Sequence, residues 1–257
     1  MDNNSNLDGR RALVTGSASG IGLAIATTMA QCGVEVVLVD LPGERLNDAA
    51  RTLPHARSIP ADLSSRRDVE RLGREAGPVD ILVNNAGFQH VSPIENFDPD
   101  IWERLLAVML TAPFLLIRTM LPGMYERGWG RIVNIASVHG LVASPFKGGY
   151  VSAKHGLLGL TKTVALEVGA RGGNITVNAI CPSYVRTPLV ERQIGDQARS
   201  YGISEEDVVE KVMLERNAVK RLIEPEDVAR SVLFLCSDDA WSITGTAFTM
   251  DAGWLAH

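Results

Sequence analysis

Short apolar runs rich in β-branched residues alternate with amphipathic stretches along almost the whole chain. Strands covered by helices on both sides have no polar face, so they read as continuous apolar runs. The pattern predicts strands at 12–14, 35–39, 57–60, 81–83, 131–135, 176–180 and 247–250, and helices at 21–31, 44–51, 66–75, 101–125, 151–168 and 226–235. The fold class expected is α/β: one domain over 1–257, a doubly wound parallel sheet of seven strands with helices on both faces. Residues 188–221 break the rhythm. They are charged, weakly amphipathic and carry no strand pattern, which predicts a helical insertion at the carboxyl ends of the strands, where lids are built.

Composition narrows what such a domain can meet. The chain has 257 residues, 46% hydrophobic and 21% charged, enough apolar material for a core. Thirty acidic residues against 25 basic ones give a net charge of −5, which disfavours nucleic acid or an anionic membrane as partner. A small ligand is expected. Cys32, Cys181 and Cys236 are odd in number and lack paired spacing or a nearby histidine, so neither disulfides nor a metal site is indicated. The polar start MDNNSNLDGRR has no apolar signal core, which leads to a cytoplasmic expectation. The apolar stretch 105–117 is interrupted by Thr111 and Pro113 and is shorter than the roughly 20 residues that span a bilayer.

Candidate chemistry begins at TGSASGIG, residues 15–22, between the first strand and first helix. Glycines there let the backbone approach a pyrophosphate, and the helix amides attract its charge. The setting points to a Rossmann-type sheet in which Gly16, Ser19, Gly20, Ile21 and Gly22 cradle a dinucleotide. The second strand ends in Asp40, whose carboxylate suits ribose hydroxyls and repels the extra phosphate of NADP. Leu41 and Pro42 follow with no adjacent cation, so NAD is favoured. A simple turn cap is the alternative for Asp40.

The order of these and later motifs resembles the short-chain dehydrogenase/reductase family from about Arg10 to Gly253: TGxxxGIG, Asp62-Leu63, NNAG at 84–87, Ser137, and YxxxK as Tyr150 and Lys154. The resemblance implies that Asp62 and Leu63 flank the adenine and that Asn85, Ala86 and Gly87 lie beside the cofactor. It places Pro182, Val185 and Thr187 near the nicotinamide and phosphates. Read alone, Asp62 is equally a helix cap.

Tyr150 and Lys154 lie one helical turn apart and share a face. A phenol of pKa about 10 is a poor base; a neighbouring ammonium should lower it, and ~3 units would correspond to about 4 kcal/mol. Tyr150 would then take the proton of a substrate hydroxyl as hydride leaves for nicotinamide. Lys154 would also hold the nicotinamide ribose, and Ser137 the developing carbonyl oxygen. The family usually has asparagine where this chain has Met109, in a kinked helix. The expectation is that activity persists, with the Met109 carbonyl supporting proton relay; a sensor of NAD or NADH without turnover is the remote alternative.

Near this triad stand Gln89, His139, Lys147 and, at the start of the insertion, Gln193. Family topology would gather them around the nicotinamide, where two amides, an imidazole and an ammonium suit a small carboxylate. The segments NNAGFQH, IASVHGLVAS and CPSYVRTPLVERQ resemble a narrower subgroup whose members oxidise (R)-3-hydroxybutyrate to acetoacetate with NAD. There the residues matching Tyr184 and Trp254 enclose the carbon chain; tyrosine replaces the subgroup's tryptophan at 184, and Ser183 replaces its glycine. Another hydroxy acid, a polyol or a 3-ketoacyl thioester are the alternatives. His90 is read as structural, since its neighbour points inward. Residues 189–219 are expected to close over substrate. The helices at 101–125 and 151–168 are apolar on more than one face, and family likeness implies a homotetramer through them.

Overall fold

The computed structural model describes residues 7–256, apart from the side chains of Leu189 and Gln197. Residues 1–6 and 257 of the expected domain lie outside the described residues. The strands are β1 (Arg11–Thr15), β2 (Glu35–Asp40), β3 (Ala56–Pro60), β4 (Ile81–Asn84), β5 (Trp129–Ile135), β6 (Asn174–Pro182) and β7 (Ala247–Met250). They form one parallel seven-stranded sheet in the order β3-β2-β1-β4-β5-β6-β7. Ala12 pairs with Val36 of β2 on one side and Ile81 of β4 on the other. From β1 the chain winds outward to β3 and returns as β4, so a crevice opens where the order reverses.

Alternation along the strands builds two core layers. Ala12, Val14, Ile81 and Val83 face one layer, with α1 (Gly20–Gln31), α2 (Glu44–Thr52) and α9 (Pro225–Cys236). Leu13 and Leu82 face the other, against α3 (Arg66–Glu75), α5 (Ala112–Arg127) and α6 (Gly148–Arg171). Cys181 and Cys236 are buried, Cys32 is half-buried, and all three are free thiols.

The helix predicted at 101–125 is longer and interrupted. It starts as α4 (Pro99–Leu106), capped by Asp98, which accepts from the Asp100 amide, and passes through a π-turn (Ala107–Thr111) into α5. Pro113 has no N–H to give the Met109 carbonyl, its partner in a regular helix, and wider turns occur where such a bond fails. Pro99–Arg127 is apolar and long enough to cross a bilayer, yet Leu115, Leu116, Met120 and Met124 lie within the second core layer.

The insertion holds α7 (Pro188–Tyr201) and α8 (Glu205–Asp207), the latter running into a second π-turn (Val208–Met213). It has a small core of its own: Ile194, Val208, Met213, Leu214 and Leu222 are buried together, with Tyr184 packed against them.

Candidate active site

The glycine-rich turn is fastened to the neighbouring strand end. Asn85 Nδ2 donates to the carbonyls of Thr15 at 2.9 Å and Gly16 at 3.1 Å, while Thr15 Oγ1 accepts from the Asn85 and Ala86 amides. A Cβ on Gly16, which has φ +66°, would come within 2.8 Å of Ala86 Cα. One on Gly22 would lie 2.1 Å from the Gly16 carbonyl oxygen, so helix and turn touch only because both positions lack side chains. Ser19 at the N-cap of α1 uses no side-chain hydrogen bond, which leaves the first-turn amides facing the crevice. This cradle fits the phosphates of a dinucleotide.

Asp40 braces the glycine-rich turn from the cleft wall. Its Oδ2 accepts from the Ala18 amide at 3.0 Å and its Oδ1 from Leu41 at 2.8 Å, bracing the turn, and the residue also lines the cleft. No arginine or lysine adjoins Asp40 in the chain, but α2 returns Arg45 to the cleft wall. Asp62 accepts from the Ser64 hydroxyl and amide, which hold its carboxyl below the usual range; Ser65, not Asp62, caps α3.

The cleft encloses about 580 Å³. Of the cofactor, substrate and catalytic residues expected from sequence, all but Gly22 and Met109 line it. Gly22 lies behind the turn. Met109 is buried with Leu105 and Ala153, against Tyr150 and Phe88, and its Sδ would meet a Cβ built on Gly87 at 3.0 Å.

At the far end Tyr150 and Lys154 rise from the first turns of α6. Lys154 Nζ donates to the Ile135 carbonyl at 2.7 Å and lies 5.6 Å from the Tyr150 ring centre. Burial pushes the ammonium down to about 8. The same burial pushes the Tyr150 phenol up, against the opposing hydrogen bond with Ser137. This corrects the expectation of a lowered phenol: in the protein alone, desolvation of the phenolate outweighs the Ser137 hydrogen bond. Cys181 adjoins them, but burial raises its thiol to about 11, so it stays neutral.

The remaining predicted residues line the same cleft. His139 Nε2 shares a hydrogen bond with Ser144 Oγ at 2.8 Å. Burial, then the Lys147 charge, lowers His139 to about 4, so the imidazole is neutral. Its ring meets Tyr150 edge-on at 6.1 Å and Trp254 at 5.6 Å, and Trp254 stacks on Tyr184 at 6.0 Å. Lys147 is half-buried at the N-cap of α6, its ammonium lowered by desolvation. Gln89 and Gln193 approach from the β4 loop and from α7. His90 packs edge-on against Phe97 at 5.2 Å, as its structural reading implied.

Sequence reasoning missed Ser144, and also Arg104 and Arg192 in the cleft wall. Arg104 reaches over the Phe88 ring at 5.6 Å and its charge lowers Asp62. The signal available was helical: Arg104 lies one turn before Val108, which also lines the cleft.

A family model described as enoyl-(acyl carrier protein) reductase matches residues 16–255. D-beta-hydroxybutyrate dehydrogenase of Rhizobium meliloti (strain 1021) is 50% identical, over 96% of this chain and 99% of the relative. The chain belongs to the short-chain dehydrogenase/reductase family. It is therefore an oxidoreductase. Within the family, D-beta-hydroxybutyrate dehydrogenase of Cupriavidus necator is 41% identical over 98% of this chain and all of the relative. A crystal structure of L-sorbose reductase from Gluconobacter frateurii, complexed with NADPH and L-sorbose, superposes with a TM-score of 0.93 at 32% identity, covering 99% of each chain.

Proposed function

We propose that the protein oxidises (R)-3-hydroxybutyrate to acetoacetate, reversibly, with NAD. The observation that carries this reading is that Lys147, neutral His139, Gln89 and Gln193 line the same cleft as Tyr150, where Trp254 stacks on Tyr184 beside His139. A lysine cation beside neutral donors suits a carboxylate, and Trp254 over Tyr184 bounds a short carbon chain.

NAD, when bound, supplies the hydride acceptor. Tyr150 takes the hydroxyl proton as the carbinol C–H pair departs, leaving a carbonyl whose oxygen Ser137 holds by hydrogen bond. Burial keeps the phenol protonated in the protein alone, so cationic charge is required beside it. Lys154, poised near 8 and anchored on Ile135, supplies part of that charge and holds the nicotinamide ribose. Asp40 selects NAD by meeting the ribose hydroxyls, with Arg45 opposing that preference.

The chain acts as one domain, with 188–221 as its lid. In the cytoplasm it forms a homotetramer; Phe114 on α5 and Leu166 on α6, both exposed, belong to the helices that would meet. Its partners are a small carboxylate and its own copies, with neither nucleic acid nor membrane. The test is reduction of NAD and NADP with a panel of 3-hydroxy acids, polyols and the reverse reaction of thioesters. Preferred turnover of (R)-3-hydroxybutyrate with NAD is expected; a preference for thioesters or polyols overturns the substrate assignment, and a preference for NADP overturns that of the cofactor.

A further inference from the structure

The end of the insertion and the last turn of the chain meet at one buried side chain. Asn217 is 2% exposed. Its Nδ2 donates to the Asp251 carbonyl at 2.7 Å and to Ser183 Oγ at 3.2 Å. The amide orientation is fixed by chemistry, because a main-chain carbonyl only accepts. Its Oδ1 is buried without a hydrogen-bond partner among the described residues. An unpaired buried acceptor is costly, so packing gives no reason for an amide here and the donation to Asp251 does.

Asp251 organises the turn that carries Trp254. Its carboxylate accepts from the Gly253 amide at 3.2 Å and the Leu255 amide at 2.9 Å, and its carbonyl from Trp254 at 3.1 Å. Beside it, the Val219 amide donates to the Ala252 carbonyl at 3.0 Å. Ala252 has φ +52°, a left-handed conformation that a residue with a Cβ adopts only under outside constraint. Residues 217 and 219, at the end of the insertion, bond to the carbonyls that flank it. Trp254 then reaches the cleft, stacked on Tyr184 and edge-on to His139.

We propose that Asn217 is a positioning residue: by holding the Asp251 turn against Ser183 it fixes Trp254, and so sets the length of substrate that the aromatic end of the cleft admits. The consequence for substrate length rests on the hydroxy-acid reading; the consequence for the turn does not.

Both are tested in the full-length protein. In hydrogen exchange without ligands, Asn217→Asp and Asn217→Ala are expected to speed exchange of the 251–256 segment about 10-fold or more while β1 is unchanged. In turnover, Asn217→Asp is expected to raise the kcat/KM ratio of 3-hydroxyhexanoate to 3-hydroxybutyrate about 10-fold with the Kd for NAD held within about 2-fold, and to leave that ratio unmoved in a Trp254→Ala background. Unchanged exchange overturns the proposal whatever the substrate. An equal loss on both acids, or a shift that survives without Trp254, overturns the role in substrate length. A wild-type protein inert toward both acids refutes the hydroxy-acid reading instead, and the exchange result still decides the turn. Should the aspartate and alanine variants fail to fold, Asn217→Ser, which keeps a donor in less volume, is expected to shift both readouts in the same direction by less.

Discussion

The two ends of the cleft are made of different material. The phosphate cradle at the cofactor end is main chain, the TGxxxGIG turn and the amides of α1, fastened to the β4 end by the Asn85 and Thr15 side chains. The substrate end is side chains from the β4 loop, the turn after β5, the start of α6, the insertion and the last turn of the chain. A main-chain cradle needs glycine where a Cβ would collide, so it is written in consecutive residues. A side-chain site is written in single letters far apart, each with an ordinary alternative use.

The largest expected effect lies where the two ends meet. Tyr150→Phe removes the proposed proton acceptor but little volume, and should lower kcat by about 10³-fold or more, at the upper range for general base catalysis. NAD affinity, measured by titration, should change by less than about 3-fold. An unchanged kcat would remove Tyr150 from the chemistry.

Two substitutions separate the ends. Gly22→Ala puts a Cβ against the Gly16 carbonyl, 2.1 Å away, and should weaken NAD binding by about 100-fold through displacement of the turn. Lys147→Ala should raise KM for the hydroxy acid by about 10- to 100-fold, the worth of a charge-assisted hydrogen bond, with NAD affinity intact. Equal losses of both ligands in either variant would break the division proposed between the ends.

The substrate end should also mark stability against acid. His139 binds its proton near 4 in the folded protein and near 6.5 when unfolded. Between those values the unfolded chain holds more protons, so stability falls as pH drops from about 6.5 to about 4 and is complete above that window. The full span corresponds to about 3 kcal/mol. Urea midpoints at pH 7 and 4.5 should fall less in His139→Asn than in the wild type. Equal falls would show that the imidazole is not held neutral.

How much of this was readable in the letters follows the same division. The strands, the turn and the Tyr150–Lys154 face came from local pattern. Asp40 was readable at its strand end, but Arg45 was not, because only the fold of α2 brings it back to the cleft. Ser144 and Asn217 act through His139 and the Trp254 turn, and contacts across the chain have no linear signature. The direction of the Tyr150 shift was misjudged for a similar reason. Proximity to Lys154 is visible as spacing, whereas burial of the phenol depends on everything packed around it.

The smallest effect is expected at Met109, where the family usually has asparagine. The π-turn that bends this helix exists here with methionine in place, and Pro113 withholds the hydrogen bond that a regular helix would direct at the Met109 carbonyl. The bend and the carbonyl therefore do not need an amide side chain. At 1% exposure, among Leu105 and Ala153, that amide would meet apolar neighbours. Met109→Asn should change kcat by less than about 10-fold, while burial of unpaired polar atoms costs about 1–3 kcal/mol of stability, read as a lowered urea midpoint. A rise in kcat of several orders of magnitude would show that methionine cripples the proton relay, and would revive the reading of the chain as a sensor that binds NAD without using it.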